Sequence, residues 1–413
     1  VDVGASILLG APLFPGQTLD TFWSERCDEM SRAVDRLSKI ASQDALILLQ
    51  ASFSAPRVQH LMRCSPSVDN RNLVTFDDLL RSALTRITNC NLSDSQWLQA
   101  SLTIREGGLG VRRVSTLALP AYLASAASTL SLQDSILSSR PCPLDSFFDS
   151  YKAVWSSSFS FPPVGSASHK QSAWDRPGLL ADKSLVQSKL TDTRQKAAFL
   201  AASAPHAGDW LAVLPIASCG LRLDDEAIRV AVALRLGLEL CIPHTCRCGC
   251  QVDAWGLHAF VCKRTPGRIQ RHQSINDLIC RAFVSAGVPA MKEPTGLLRT
   301  DNKRPDGLTL IPWQRGKPIT WDVTVTSTLA DSYLSVSAES AGAAAELAAT
   351  RKIAKYSSLP ASHSFQPIAL ETHGPINNSA VDFLTDLGHQ ISSVTGEEGE
   401  TILIPMHCDL TAA

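Results

Sequence analysis

Two groups of residues in the C-terminal part of the chain have types and spacings that could do chemistry. Cys246, Cys248, His258 and Cys262 lie within residues 246–262 and offer three thiolates and an imidazole. That donor set suits tetrahedral zinc, packed around a glycine-containing turn. The i, i+4 spacing of His258 and Cys262 puts both on one helical face. Cys250 is a fifth candidate for a four-ligand site. A reduced, metal-free cysteine cluster is the competing reading, but three thiols within residues 246–250 are poorly explained by packing. A closed shell of this kind leaves no position for water, so its expected role is structural: to staple a segment too short to bury its own core.

The second group is Arg304-Pro305-Asp306-Gly307 followed by Trp321-Asp322-Val323-Thr324-Val325. With 308–311 and 319–325 as the arms of a hairpin, Trp313, Gln314, Arg315 and Gly316 make its turn. Asp306 then stands at the mouth of one arm, a diagonal step from Asp322 on the other. Trp321, Val323 and Val325 face away from Asp322. A carboxylate in such an apolar strand is costly unless it is paired or binds a metal. Two neighbouring carboxylates can hold Mg²⁺ against a phosphodiester, where the ion lowers the pKa of a bound water. A salt bridge from Asp322 to Arg304 or Lys317 is the bland alternative. Glu293 is a further acid, read as a surface residue of an edge strand. Between the two groups, Lys263, Arg264, Arg268, Arg271 and His272 precede the next acid, Asp277. This local basic patch suits phosphate contact, or else forms a solvated face.

The elements that must carry these residues change character along the chain. Residues 18–65 read as helices, with Leu19, Trp23, Met30, Val34, Leu37 and Ile40 near helical spacing, Ser42 capping 43–54, and Pro56 opening another. Helices continue over 70–87, 94–104 and 115–128, with Gly107-Gly108-Leu109-Gly110 as a loop. Residues 138–170, rich in Ser and Pro, read as a linker. Helices follow over 184–203, 209–214 and 224–238. After the Cys/His cluster the order becomes helix 270–286, strands near 290–293, 307–312 and 319–326, a long Ala-rich helix over 336–357, strand 367–371 and helix 379–392. The expected fold class is multidomain: an all-α N-terminal region, a small zinc knuckle and an α/β C-terminal domain. The expected limits are 1–137, 138–242, 243–268 and 269–395, with a truncated tail over 396–413.

The chain has 413 residues, 45% hydrophobic and 19% charged, with a formal net charge of −1. This is globular composition, and the neutral balance confines any case for nucleic acid to local patches. The twelve cysteines form no secreted disulfide framework, which points to a reducing, intracellular compartment. The start, Val1-Asp2-Val3-Gly4, lacks a basic n-region and reads as a fragment. The best apolar run, 227–241, is interrupted by Arg229 and Arg235 and reads as a core helix, so no membrane partner is expected.

The order helix–strand–strand–strand–helix–strand, with Pro305-Asp306 and Asp322, resembles the PD-(D/E)XK restriction-endonuclease-like fold. The family's lysine position is occupied by Thr324. Some branches supply that lysine from the following helix, where Lys352 and Lys355 are available, Lys355 being preferred. A closer resemblance is to the C-terminal part of non-LTR retrotransposon polyproteins of the restriction-like-endonuclease class. It is carried by Cys246-x-Cys248, Gly256-x-His258-x-x-x-Cys262, Arg271-His272, Asn276-Asp277-Leu278-Ile279, Lys303-Arg304-Pro305-Asp306-Gly307, Trp321-Asp322-Val323-Thr324 and Lys352-x-x-Lys355-Tyr356. It covers 243–395, and upstream stretches such as Leu8-Leu9-Gly10-Ala11-Pro12-Leu13 resemble a polymerase thumb and helical linker.

The resemblance implies a zinc knuckle of Cys246, Cys248, His258 and Cys262, with Cys250 spare. It implies Mg²⁺ on Asp306 and Asp322, water oriented by Lys355 or Lys352, and DNA contacts from Arg264, Arg268, Arg271, His272, Lys303 and Arg304. It further implies target DNA and element RNA as partners, nuclear action, and a nick whose 3′ hydroxyl primes reverse transcription. No Tyr/Phe-x-Asp-Asp polymerase signature is present. Asp77-Asp78 and Asp224-Asp225 lack the flanking apolar strands of a palm hairpin. Two alternatives stay open: a zinc-containing, non-catalytic nucleic-acid-binding protein or decayed element copy, which Thr324 favours, and a stand-alone repair or resolvase-type nuclease.

Overall fold

The computed structural model describes residues 6–136, 146–217, 221–264, 266–297 and 304–396. The chain divides into two compact units, one of Val1–Thr103, Leu109–Lys189 and Leu223–Arg229, the other of Ile104–Gly108, Leu190–Arg222 and Val230–Ala413.

The first unit is helical apart from a two-strand ribbon, β1 (Ile7–Leu8) and β2 (Ala11–Pro12). Its helices are α1 (Gln17–Leu37), α2 (Ser42–Leu48), α3 (Ala55–Cys64), α4 (Asn72–Thr88), α5 (Asp94–Ala100), α6 (Val114–Ile136), α7 (Ser146–Ser158) and α8 (Gln171–Lys189). The apolar stripe of α1 buries Leu19, Trp23, Met30, Val34 and Leu37, with Trp23 edge-on to Phe76 of α4. Ser42 does not cap α2. It is the helix's first residue, and its hydroxyl donates to Ile87 O. The stretch read as a linker contains α7. Phe148, Tyr151 and Trp155 recur at helical spacing and are buried with Trp174 of α8, an aromatic signal that the Ser/Pro count obscured. Both acid pairs set aside for polymerase chemistry serve helix ends. Buried Asp77 accepts Val114 N and the Ser115 hydroxyl at the start of α6, and Asp225 accepts Ser42 N at the start of α2.

The second unit contains α9 (Thr193–Ala202) and most of α10 (Asp225–Leu236), whose Asp225–Arg229 part belongs to the first. The ribbon β3 (His244–Thr245) and β4 (Gln251–Val252) leads to α11 (His258–Val261). Then come α12 (Gly267–Ser285), β5 (Ala290–Lys292), β6 (Gly307–Thr309), β7 (Ile319–Thr326), α13 (Leu334–Ser337), α14 (Ala343–Lys355), β8 (Ser364–Glu371) and α15 (Asn378–Thr395). The four strands form one sheet in the order β5-β6-β7-β8, the first two junctions antiparallel and β7–β8 parallel. A parallel junction requires a crossover, and α13 with α14 supplies it.

Alternation along β7 sorts its residues between two faces. Ile319, Trp321 and Val323 join Ile275, Ile279 and Phe283 of α12 and Phe383, Leu384 and Leu387 of α15 in the main core. On the other face, Ala345, Ala348 and Ala349 of α14 pack against Ala369 of β8. The β6–β7 hairpin closes at Arg315-Gly316, both with left-handed backbone, between the bridged Gln314 and Lys317. The long Ala-rich helix expected over 336–357 is two helices. It breaks after Ser337 and restarts at Ala343, where Ala345 N donates to buried Glu371 at the end of β8 and Glu346 accepts Asn378 N at the start of α15. The tail over 397–413 lies outside the described residues.

Gly307, after the Pro-Asp pair, is required by close approach: a β-carbon there would fall inside the buried indole of Trp321. Gly307→Ala is therefore expected to cost about 3 kcal/mol by overpacking, read as a lowered midpoint in denaturant unfolding. Beyond β8, burial lowers the His373 imidazole to a pKa of about 4. A neutral imidazole in the folded chain and an ordinary one when unfolded make stability full above pH 6.5 and falling as pH drops toward 4. The loss is expected to total about 3 kcal/mol, and His373→Gln should flatten that pH dependence in unfolding titrations.

Candidate metal centre and acid–lysine site

The ribbon β3–β4 and the single turn of α11 exist to bring four ligand atoms together. Cys246 and Cys248 leave β3 through a tight turn, with Gly249 N donating to Cys246 O and Cys246 N to Cys250 O. His258 opens α11, and Cys262 caps its end. The ligand atoms of Cys246, Cys248, His258 and Cys262 all lie within 4.8 Å of one another, so the cluster could hold a metal ion. Cys248 Sγ is 3.0 Å from His258 Nε2, and Cys246 Sγ is 3.8 Å from Cys262 Sγ. Three thiolates and one imidazole are consistent with zinc. Cys250 is exposed and stands outside the cluster. None of the nine described cysteines forms a disulfide.

The acids meet on β6 and β7. Gly307 pairs with Trp321, and Asp306 N donates to Trp321 O at 2.9 Å. Extending that register one step sets Asp306 directly opposite Asp322, nearer than the diagonal relation the hairpin alone suggested. Asp306 Oδ2 accepts Val323 N at 2.6 Å and faces His272 Nε2 of α12 at 2.9 Å. The His272 pKa is raised above its ordinary value, first by that hydrogen bond and then by the charges of Asp306 and Asp322, against burial and Lys352.

Asp322 is 3% exposed. Such a carboxylate needs partners on both oxygens, and α14 brings them. Lys352 Nζ pairs directly with Oδ1. The Tyr356 hydroxyl donates to Oδ2 at 2.5 Å, and Lys355 Nζ lies 3.7 Å from the same oxygen. Lys355 Nζ also donates to the Tyr356 hydroxyl at 2.8 Å, and that hydroxyl reaches Arg304 O at 2.8 Å. Both Lys352 and the preferred Lys355 thus pair with Asp322, Lys352 the more closely. Neither Arg304 nor Lys317 pairs with Asp322: Arg304 pairs with exposed Glu293, just past the edge strand β5. Thr324, two residues after Asp322, has a buried hydroxyl oxygen with no hydrogen-bond partner.

The basic residues separate by environment. Arg268 is exposed on α12. Arg264 is exposed and donates to Arg247 O within the knuckle. Arg271 is half-buried, its guanidinium 5.2 Å over the Phe260 ring, and burial lowers its pKa. It ties the knuckle to α12. His272 belongs with Asp306, and Lys303 lies outside the described residues.

Two further residues join the site without having been assigned a role from the sequence. Tyr356 is buried against Asp322, and the sequence marked it only as the last residue of the matched stretch Lys352-x-x-Lys355-Tyr356. Asn276 accepts Trp321 Nε1 at 2.8 Å and donates to Asp306 O at 3.3 Å, an inward-facing amide on an otherwise apolar helix side. No helix among the described residues is long and apolar enough to cross a membrane. Comparison of the chain with protein-family models gives no match, and comparison with curated proteins gives none either.

Proposed function

We propose that the second unit is a magnesium-dependent DNA endonuclease of the restriction-endonuclease-like class, the C-terminal part of a non-LTR retrotransposon polyprotein. The observation that carries this reading is the convergence of Asp306, Asp322, Lys352 and Lys355 on one face of a β5-β6-β7-β8 sheet. The element order around that sheet and the parallel β7–β8 junction support the same fold reading.

Two cross-strand carboxylates are hard oxygen donors of the kind magnesium takes: Asp306 has both hydrogen bonds on Oδ2, leaving Oδ1 for a ligand, whereas Asp322 would meet the ion only where Lys352 gives way at Oδ1. When bound, magnesium would supply Lewis-acid stabilisation of charge on the phosphate and a more acidic water. The chain's own residues do the rest. Tyr356 fixes the orientation of Asp322, and His272 with Val323 N fixes Asp306. Lys352 and Lys355 hold cationic N–H donors beside Asp322, where they would assist an attacking water, the role that a lysine two residues after the second acid has elsewhere in the class. Exposed Arg268 and Arg264 meet the DNA backbone, and the zinc knuckle, tied to α12 through Arg271, holds them beside the site. In this reading the 3′ hydroxyl of the nick primes copying of the element RNA.

The test is nicking of supercoiled plasmid by purified, zinc-loaded chain, with magnesium omitted, supplied and restored. Nicking that follows magnesium through all three arms supports the reading. A binding-only reading draws on Thr324 in the lysine position, and folded protein that binds DNA but never nicks it would establish that reading instead.

A further inference from the structure

A second concave site lies in the same unit, at the far end of the sheet from which β7 and β8 run out. Its cavity holds about 280 Å³, just below the range of drug-sized ligand pockets and with room for one bicyclic ring system. The walls are apolar, from Leu234 of α10, Leu257 beside the knuckle and Leu329 after β7. Three features give them chemical character. Trp255 is 41% exposed, and it sits on the turn between β4 and α11, inside the segment closed by the metal ligands. An indole held on a stapled turn is a rigid stacking surface. His373 lines the cavity from within the fold, where burial keeps its imidazole neutral, and the Thr372 hydroxyl stands 3.3 Å from Nδ1, which leaves Nε2 to meet a ligand. Arg194, 44% exposed, lines the same cavity beside Asp192, and its guanidinium makes two long ion pairs, 3.8 Å to Asp253 and 3.6 Å to Asp331, that a phosphate would have to displace.

We infer that this cavity takes an unstacked nucleobase from a single-stranded nucleic acid, with Trp255 against the ring face, His373 toward the heteroatom edge and Arg194 at the phosphate. An aliphatic side chain would use the apolar wall but make no use of His373 Nε2 or of the Arg194 guanidinium at the rim. A base uses all three, and stacking on an aromatic side chain tolerates any base because each has a π-face. The inference does not rest on the acid pair, and it gives the knuckle a second role, that of setting the Trp255 wall.

The test measures binding without magnesium, so failure of nicking leaves it intact. The probes are a short labelled oligodeoxyadenylate and an abasic phosphodiester chain of the same length, which carry the same backbone charge. The oligodeoxyadenylate is expected to bind about tenfold more tightly than the abasic chain. It should also quench part of the tryptophan fluorescence, and that part should be absent in Trp255→Ala. Trp255→Ala should lose about the same tenfold for oligodeoxyadenylate and nothing for the abasic chain, whereas Trp255→Phe should keep most of the affinity. Metal content measured on both variants shows that the knuckle remains folded. Equal binding of the two probes by the unaltered chain would overturn the inference. So would undiminished oligodeoxyadenylate binding by metal-loaded Trp255→Ala, which would put base recognition elsewhere.

Discussion

Asp306→Asn is expected to reduce magnesium-dependent plasmid nicking by about 10³-fold while the chain stays folded. The substitution keeps an oxygen that can accept Val323 N, so the β6–β7 ladder and its contact with His272 need little rearrangement. What it removes is the negative charge that would hold a divalent cation. Lys352→Met, which keeps the length of the side chain and deletes its charge, should cost about 10²-fold, with Lys355→Met milder, because Lys352 makes the closer of the two ion pairs with Asp322. Measured with a fixed excess of magnesium, these three rates rank the residues. Equal loss in the two lysine variants would contradict the order read from the geometry, and undiminished nicking by Asp306→Asn would remove the acid pair from the chemistry altogether.

The second large effect concerns the knuckle. One equivalent of zinc is expected per chain, and its removal by a strong chelator should unfold the segment from β3 to α11, since binding of structural zinc is worth on the order of 10 kcal/mol. That segment buries few side chains of its own: of the residues between His244 and Val261 only Val252 is fully buried. Protease cleavage confined to this segment after chelation, together with zinc stoichiometry by elemental analysis, is the measurement. Cys248→Ser should abolish stoichiometric zinc, whereas Cys250→Ser should leave it unchanged because that thiol stands outside the ligand cluster. Loss of zinc in Cys250→Ser would show that the ligand set is wrong.

The parts of the structure that were legible in the sequence are those encoded locally. The four candidate ligands lie within residues 246–262, on one ribbon turn and the short helix after it, so spacing sufficed to find them. Asp322 stood out because an acid interrupts the pattern Trp321, Val323, Val325, and the Pro-Asp-Gly triplet marked the strand opposite. The helical spacing of Leu19, Trp23, Met30, Val34 and Leu37 likewise gave α1 and its buried side.

What was missed depends on contacts between distant residues. Nothing near Tyr356 indicates that its hydroxyl meets a carboxylate thirty-four positions earlier. The residues of the basic run look alike in sequence, but Arg271 lies over Phe260, His272 faces Asp306 and Arg268 stays in solvent, and only packing makes that distinction. The Ala-rich run favours one long helix by local propensity, yet Glu371 and Asn378 fix where α14 must begin. In residues 138–170, frequent serine and proline outweighed three aromatic residues whose spacing was the better guide to burial.

The division of the acid–lysine site between a hairpin and a later crossover helix has a kinetic consequence. Asp306 and Asp322 are joined by a short hairpin that can close early, but Lys352 is thirty positions beyond Asp322 and arrives only when α14 docks across a parallel strand pair. Pairings of that kind carry a larger loop-closure entropy and form late. A chain emerging from synthesis therefore holds its carboxylates before its lysines. Amide protection in refolding should appear in β6 and β7 before α14, so that the acid pair exists for a time as two neighbouring carboxylates without their lysine counter-charges.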